Sequence, residues 1–134
     1  MKLQQILNKL QKLHPKEIDL SLDRIKRLCL KLGSPEKDLK FISVIGTNGK
    51  FSTIAAIRAI LKDANINCNI YTSPHIQKIN ERFIYNDQEI SDENLSKLLT
   101  EVEDINGGQP VTYFEILTAA YFYNARKFKI ILTF

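Results

Sequence analysis

The stretch SVIGTNGKFST, Ser43–Thr53, carries the residue types that hold phosphate. Gly46 and Gly49 permit backbone conformations and close approaches that a side chain would block. Lys50 follows directly and supplies a mobile positive charge for the outer phosphates of a nucleotide. Ser52 and Thr53 add hydroxyls that can bind phosphate or help hold magnesium. Where such a loop joins a strand to a helix, its N–H groups face the anion and the helix dipole favours negative charge. The spacing is not the full Walker pattern, which places Gly where Val44 stands. The plainer alternative is a strand-to-helix turn with an exposed lysine.

The flanking sequence predicts the elements such a loop needs. Phe41, Ile42, Val44 and Ile45 read as a buried strand ending at Gly46. Ile54, Ile57, Ile60 and Leu61, with four alanines among them, predict a helix of about three turns. Residues 68–71 read as a second strand, giving a βαβ unit with a parallel sheet and a right-handed crossover. Upstream, residues 2–13 predict an amphipathic helix ended by His14-Pro15. A second helix starts at Ser21 and stops at Gly33. Downstream, FIYNDQEI predicts a hairpin turning at Asn86-Asp87. Ser91 opens a helix through about Val102, INGGQP is a loop, and residues 112–127 form a helix with Phe114, Leu117, Ala120 and Tyr121 on one face. FKIILTF reads as a third buried strand. The fold class is α/β: a P-loop-type parallel sheet with flanking helices. Residues 1–40 form a helical lead-in, and 41–134 the core of an incomplete domain.

Composition narrows the function classes. The net charge of +4 is spread along the chain, which suits anionic small molecules and not nucleic acid. No apolar run approaches the roughly 18 residues of a membrane span. Cys29 and Cys68 stand alone, without metal-ligand or paired spacing, and read as reduced thiols of a cytoplasmic protein.

GTNGK followed by hydroxyls resembles the phosphate loop of the Mur ligase superfamily. YTSPHIQKINERF (Tyr71–Phe83), IDLSLDRIKRLCLKLGSP and VTYFEILTAAYFY resemble one branch, the folylpolyglutamate synthase/dihydrofolate synthase family. The resemblance runs from about Ile18 onward as separate blocks in the right order. It implies an ATP- and Mg2+-dependent ligase that phosphorylates a carboxylate and joins it to the amine of L-glutamate. The acceptor would be dihydropteroate or a folate. Carried over residue by residue, Gly46, Thr47, Asn48, Gly49, Lys50 and Ser52 would hold ATP, with Lys50 acting on the reacting phosphates. Ser73 would be a magnesium ligand. Asp19, Leu20 and Ser21, with Thr112, Tyr113, Phe114 and Glu115, would contact the pterin. Read without the resemblance, Ser21 and Thr112 are N-caps, Phe114 is core and Ser73 is a turn residue. His75 is either functional or a packed histidine. Arg82 pairs with an anion or with Glu81 or Asp87.

The pattern breaks in three places. Phe51 replaces a family glycine and either turns into the core or crowds the loop. Phe134 stands where the family has a magnesium-binding glutamate. The remainder of the ATPase domain and the C-terminal domain do not follow. Two expectations result: a ligase by descent, or a non-catalytic remnant with weak nucleotide binding. A C-terminal fragment in trans could complete the enzyme; otherwise the chain is expected to be a monomer.

Overall fold

The computed structural model describes residues 2–15, 20–73, 75, 77–128 and 132–133. Asp19 and Phe134, with most of the expected third strand, therefore lie outside the described residues. In chain order the elements are α1 (Leu3–Leu13), α2 (Asp23–Lys31), α3 (Lys50–Asp63), β1 (Cys68–Tyr71), β2 (Phe83–Tyr85), β3 (Gln88–Glu89), α4 (Asp92–Asn106), α5 (Tyr113–Ala125) and β4 (Leu132–Thr133). Contacts divide them into two compact units: residues up to Asp38 with Ser91–Lys127, and Leu39–Ile90 with the residues from Phe128 on.

The first unit is helical. α1 packs on α4, α2 on α5, and α4 on α5. Its core is the apolar stripe expected of each helix: Ile6 and Leu10, Leu28 and Cys29, Leu95, Leu99 and Val102, and Ile116, Leu117, Ala120 and Tyr121. Ser91 caps α4 by accepting from the Asn94 N–H at 3.2 Å. That helix outlasts its expected end at Val102 and stops at Gly107, whose φ of +64° gives the left-handed cap. α2 begins at Asp23, not Ser21. The Ser21 hydroxyl still accepts from the Asp23 N–H at 3.3 Å, so it caps from one residue outside. Phe114 is not core: it is 38% exposed in the first turn of α5, at the end of the stripe. His14, just past α1, lies buried 3.0 Å from the Glu103 carboxylate of α4.

The second unit holds a four-stranded sheet in the order β3-β2-β1-β4. β1 pairs antiparallel with β2 and parallel with β4, so the sheet is mixed and not wholly parallel. The β2–β3 hairpin turns where expected. Asn86 and Asp87 both take positive φ, +53° and +62°, as a two-residue type I′ turn requires. The expected strand at 41–45 is absent. Phe41 makes one isolated bridge, residues 42–45 carry no ladder, and Ile45 is 91% exposed. A strand exists through its ladder hydrogen bonds. An apolar run like this one needs cover on both faces, and among the described residues the cover is partial: Val44 is half-buried while Ile45 lies open.

α3 runs beside the sheet. It contributes Phe51, Ile54, Ala55, Arg58 and Ala59 to a groove of about 490 Å³ whose other wall includes Ile70, Thr72 and Ile84. None of its residues is buried. Asp87 pins it in place. One carboxylate oxygen accepts from Arg58 Nε at 3.0 Å and the other from the Cys68 N–H at 3.2 Å, joining helix, first strand and hairpin turn.

Candidate functional site

The glycine loop is built as the sequence implies, without the strand. Gly49 is the N-cap of α3 with φ +76°, and no side chain caps the helix. Gly46 has φ +157°. A Cβ at Gly49 would meet nothing within 4 Å, so backbone conformation and not crowding selects glycine there. Thr47, Asn48 and Ser52 are exposed and Lys50 is half-buried. The first N–H groups of a helix have no intrahelical partner. Together with Lys50 they make an open anion cradle, and the residues present fit a nucleotide phosphate.

Phe51 does not turn into the core. It is 52% exposed and lines the groove between α3 and the sheet.

The groove also fixes where β1 delivers the chain. Phe51, in the first turn of α3, and Thr72, just past β1, line the same groove. α3 carries the chain about 21 Å away at ~1.5 Å per residue. The return through β1 to Ser73 covers a similar length at ~3.3 Å per residue. Ser73 is exposed, beyond the carboxyl end of β1. That end is where open α/β sheets bind ligands. Ser73 offers one hydroxyl. Among the described residues no cluster of three His, Cys, Asp or Glu side chains could hold a metal ion.

Arg82 pairs with neither expected carboxylate. Its Nε donates to His75 Nδ1 at 2.8 Å. Asp87 is taken by Arg58, and Glu81 accepts from the backbone N–H groups of Gln77 and Lys78.

The expected pterin-contact residues lie in the helical unit. Thr112 and Glu115 form a capping box: the Thr112 hydroxyl accepts from the Glu115 N–H at 3.1 Å, and the Glu115 carboxylate accepts from the Thr112 N–H at 2.9 Å. Arg24 completes the arrangement. Its Nε and Nη2 reach the two Glu115 oxygens at 3.2 and 2.9 Å, and Nη2 also reaches the Ser21 carbonyl at 3.4 Å. One guanidinium therefore ties the Ser21 segment to the Thr112–Glu115 segment. Both Glu115 oxygens accept hydrogen bonds within this unit. Leu20 is 94% exposed and Tyr113 half-buried. Beside them a cleft of about 410 Å³ is lined by His14, Arg24, Pro110, Val111 and Thr112, among others. The sequence reading had Thr112 as an N-cap, and the spacing Thr-x-x-Glu was the signal that could have added Glu115 to it. Arg24 was not, because its partner lies far along the chain.

No protein-family profile matches the chain. Relatives do. The dihydrofolate synthase/folylpolyglutamate synthase of Bacillus subtilis is 42% identical over 108 residues, which is 75% of this chain and 25% of that protein. Among solved structures, Escherichia coli FolC in complex with DHPP and ADP superposes with a TM-score of 0.89 at 30% identity, covering 99% of this chain and 32% of that one. The chain belongs to the folylpolyglutamate synthase/dihydrofolate synthase family. The Yersinia pestis member complexed with AMPPNP and Mn ion agrees, with a TM-score of 0.88, 31% identity and the same coverage of this chain. The chain thus spans about a quarter to a third of the length of the relatives it matches. Its mixed helix-and-sheet fold is that of part of a Mur-ligase-like protein.

The two thiols are free and buried. Burial, with a smaller contribution from the Glu36 carboxylate, pushes Cys29 from 9.0 up to about 11. Burial, then Asp87, does the same to Cys68. Both are held as inert thiols. No helix among the described residues is long and apolar enough to cross a membrane.

Proposed function

We propose that the chain carries the nucleotide-phosphate loop and the pterin-contact segments of an ATP-dependent ligase that adds L-glutamate to dihydropteroate or a folate. The observation that carries this is the open, glycine-capped start of α3 followed directly by Lys50. The ligands named for the solved members, ADP, DHPP, AMPPNP and Mn ion, support it. Gly46, Thr47, Asn48, Gly49, Lys50 and Ser52 would cradle the phosphates, with Lys50 offsetting charge as phosphate transfers to the substrate carboxylate. Ser73 would be one ligand of a magnesium ion, which when bound would neutralise the phosphate oxygens. Leu20, Ser21, Thr112, Tyr113 and Phe114 would meet the pterin, held in register by Arg24 and Glu115. Asp19, outside the described residues, would belong to the same segment.

These 134 residues by themselves bind nucleotide without ligating. Ligation depends on positioning two substrates and ATP together, and loss of positioning groups costs orders of magnitude in rate. The exposed apolar residues Ile45 and Ile60, 91% and 70% accessible, agree with a surface that a further part of the protein covers, in the same chain or in trans. The test is glutamate- and ATP-dependent ligation onto dihydropteroate by the purified chain, beside calorimetry with Mg-AMPPNP. Binding without turnover is expected. Robust turnover would overturn the non-catalytic part, and no AMPPNP binding would overturn the nucleotide site.

A further inference from the structure

The groove between α3 and the sheet is apolar along its length and carries a free charge at one end. The residues α3 gives to it are Phe51, Ile54, Ala55, Arg58, Ala59 and Lys62, spaced i, i+3, i+4, i+7, i+8 and i+11. That is one stripe of a helix, of the kind normally packed away from water. No residue of α3 is buried. Opposite the stripe, Ile70 and Ile84 pair across β1 and β2, and Ile70 is 2% exposed, so the sheet side is an apolar floor. Ala55 and Ala59 lie one turn apart and project only methyl groups. They leave a slot above the two isoleucines with room for a flat body. Its volume, about 490 Å³, is that of a small-molecule site.

The two ends differ in charge. Only residues 64–67 separate α3 from β1, and Arg58 is tied through Asp87 to the Cys68 N–H. The strand therefore runs back along the helix, with Arg58 and Lys62 at the Cys68 end and Phe51 toward Thr72. Asp87 matches the charge of Arg58. Lys62 is exposed, and among the described residues no carboxylate pairs with it. At the other end Glu81 lines the groove beside Thr72, whose hydroxyl donates to the Glu81 carbonyl at 3.4 Å. A free cation at one end and a carboxylate at the other orient an anion along the slot. We propose that the groove binds a flat aromatic carboxylate, its rings between the alanines and the Ile70–Ile84 pair and its acid group at Lys62. None of residues 46–50 is among the lining residues, and the segments proposed to meet the pterin belong to the other unit. The proposal therefore stands apart from the nucleotide reading.

The probe is 2-naphthoate, titrated into the isotope-labelled chain and followed by NMR. The Ile70 and Ile84 methyl groups and the Ala55 and Ala59 amides should shift together and saturate. 2-Naphthalenemethanol, the same rings without the charge, should bind about three- to fivefold more weakly at low ionic strength, as an exposed charge contact allows. Lys62→Met should erase that difference, and Lys50→Ala should leave it. Octanoate, an acid on a flexible chain, should bind more weakly than naphthoate. Ala59→Leu fills the slot and should abolish the shifts; the wild-type titration decides the site even if that variant does not fold. No saturable shift at Ile70 and Ile84 overturns the site. Binding that falls with Lys50→Ala and not with Lys62→Met puts the acid at the phosphate loop and overturns it too. Equal binding of the acid and the alcohol overturns the part given to Lys62, and equal binding of octanoate overturns the aromatic class. Shifts of the same methyls with chain concentration alone mean that a second copy fills the groove, and they overturn the proposal.

Discussion

Replacing Gly49 with alanine tests whether the phosphate loop works through backbone conformation. Gly49 sits at φ +76°, and a Cβ built there meets nothing within 4 Å. The methyl group therefore costs nothing by collision. It costs about 1–2 kcal/mol because an L-residue with a Cβ resists the left-handed region. If Gly49→Ala holds the native loop, that sum appears as lost stability. If the loop relaxes instead, binding must restore it, and Mg-AMPPNP affinity falls about 5- to 30-fold at ~1.4 kcal/mol per decade. Calorimetry and urea unfolding on the same protein measure the two outcomes, whose free energies should sum to the same penalty. Gly49→Asn should fall between, since asparagine tolerates positive φ better. Semisynthetic D-alanine, which prefers positive φ and finds open space, should match glycine. A Gly49→Ala chain with unchanged affinity and unchanged stability would refute the reasoning. So would a D-alanine chain as impaired as the L-alanine one, which would mean that space and not φ is limiting.

Glu115→Gln keeps the capping geometry but removes the charge facing Arg24, and Glu115→Ala also strands the Thr112 N–H. Chemical denaturation should show losses of about 1–2 and 2–4 kcal/mol respectively. Asp87→Ala removes the acceptor shared by Arg58 and the Cys68 N–H, and should cost about 1–3 kcal/mol by the same assay. Phe51→Ala should leave Mg-AMPPNP affinity within about twofold, since Phe51 faces the groove; a clear gain would support the crowding argument. The thiols give a pH signature. Their folded values, raised from 9.0 to about 11, stabilise the chain fully below pH 9, and that contribution is lost as pH climbs toward 11. Iodoacetamide at pH 8 should accordingly alkylate native Cys29 and Cys68 about a hundredfold more slowly than the urea-unfolded chain.

What the sequence made legible is local. Helices came through because their apolar stripes repeat at 3.6 residues and their caps lie within four residues: Ser91 for α4, Thr112 with Glu115 for α5. The hairpin came through because Asn86-Asp87 is a pair that tolerates positive φ. The failures share a cause. A strand cannot be read from one segment when its existence depends on a neighbour, and 41–45 has apolar character but no ladder. Phe114 shares the spacing of a buried face yet sits at its end, where the packed stripe gives out.

The candidate site divides along the same line, and this explains which of its residues were missed. The parts proposed to meet a ligand are short sequence patterns, GTNGK, YTSPH and TYFE, because a phosphate or a ring is only a few residues across. The groups that hold those parts in place are arginines with distant partners. Arg24 reaches Glu115 across 91 positions, Arg58 reaches Asp87 across 29, and Arg82 reaches back to His75 across the turn between β1 and β2. Each uses the planar, always-charged guanidinium to fix a second group's direction, which lysine's single rotatable ammonium does less well. A conservative Arg-to-Lys change at any of the three should therefore leave the ligand-facing residues untouched while loosening what orients them. At Arg24, the substitution to lysine keeps the charge beside Glu115 but gives up the two-pronged contact and the reach to the Ser21 carbonyl. Stability should fall by under about 2 kcal/mol, while dihydropteroate binding should weaken more than that loss accounts for. If binding and stability fall in proportion, Arg24 supports the fold alone and does not align the two segments.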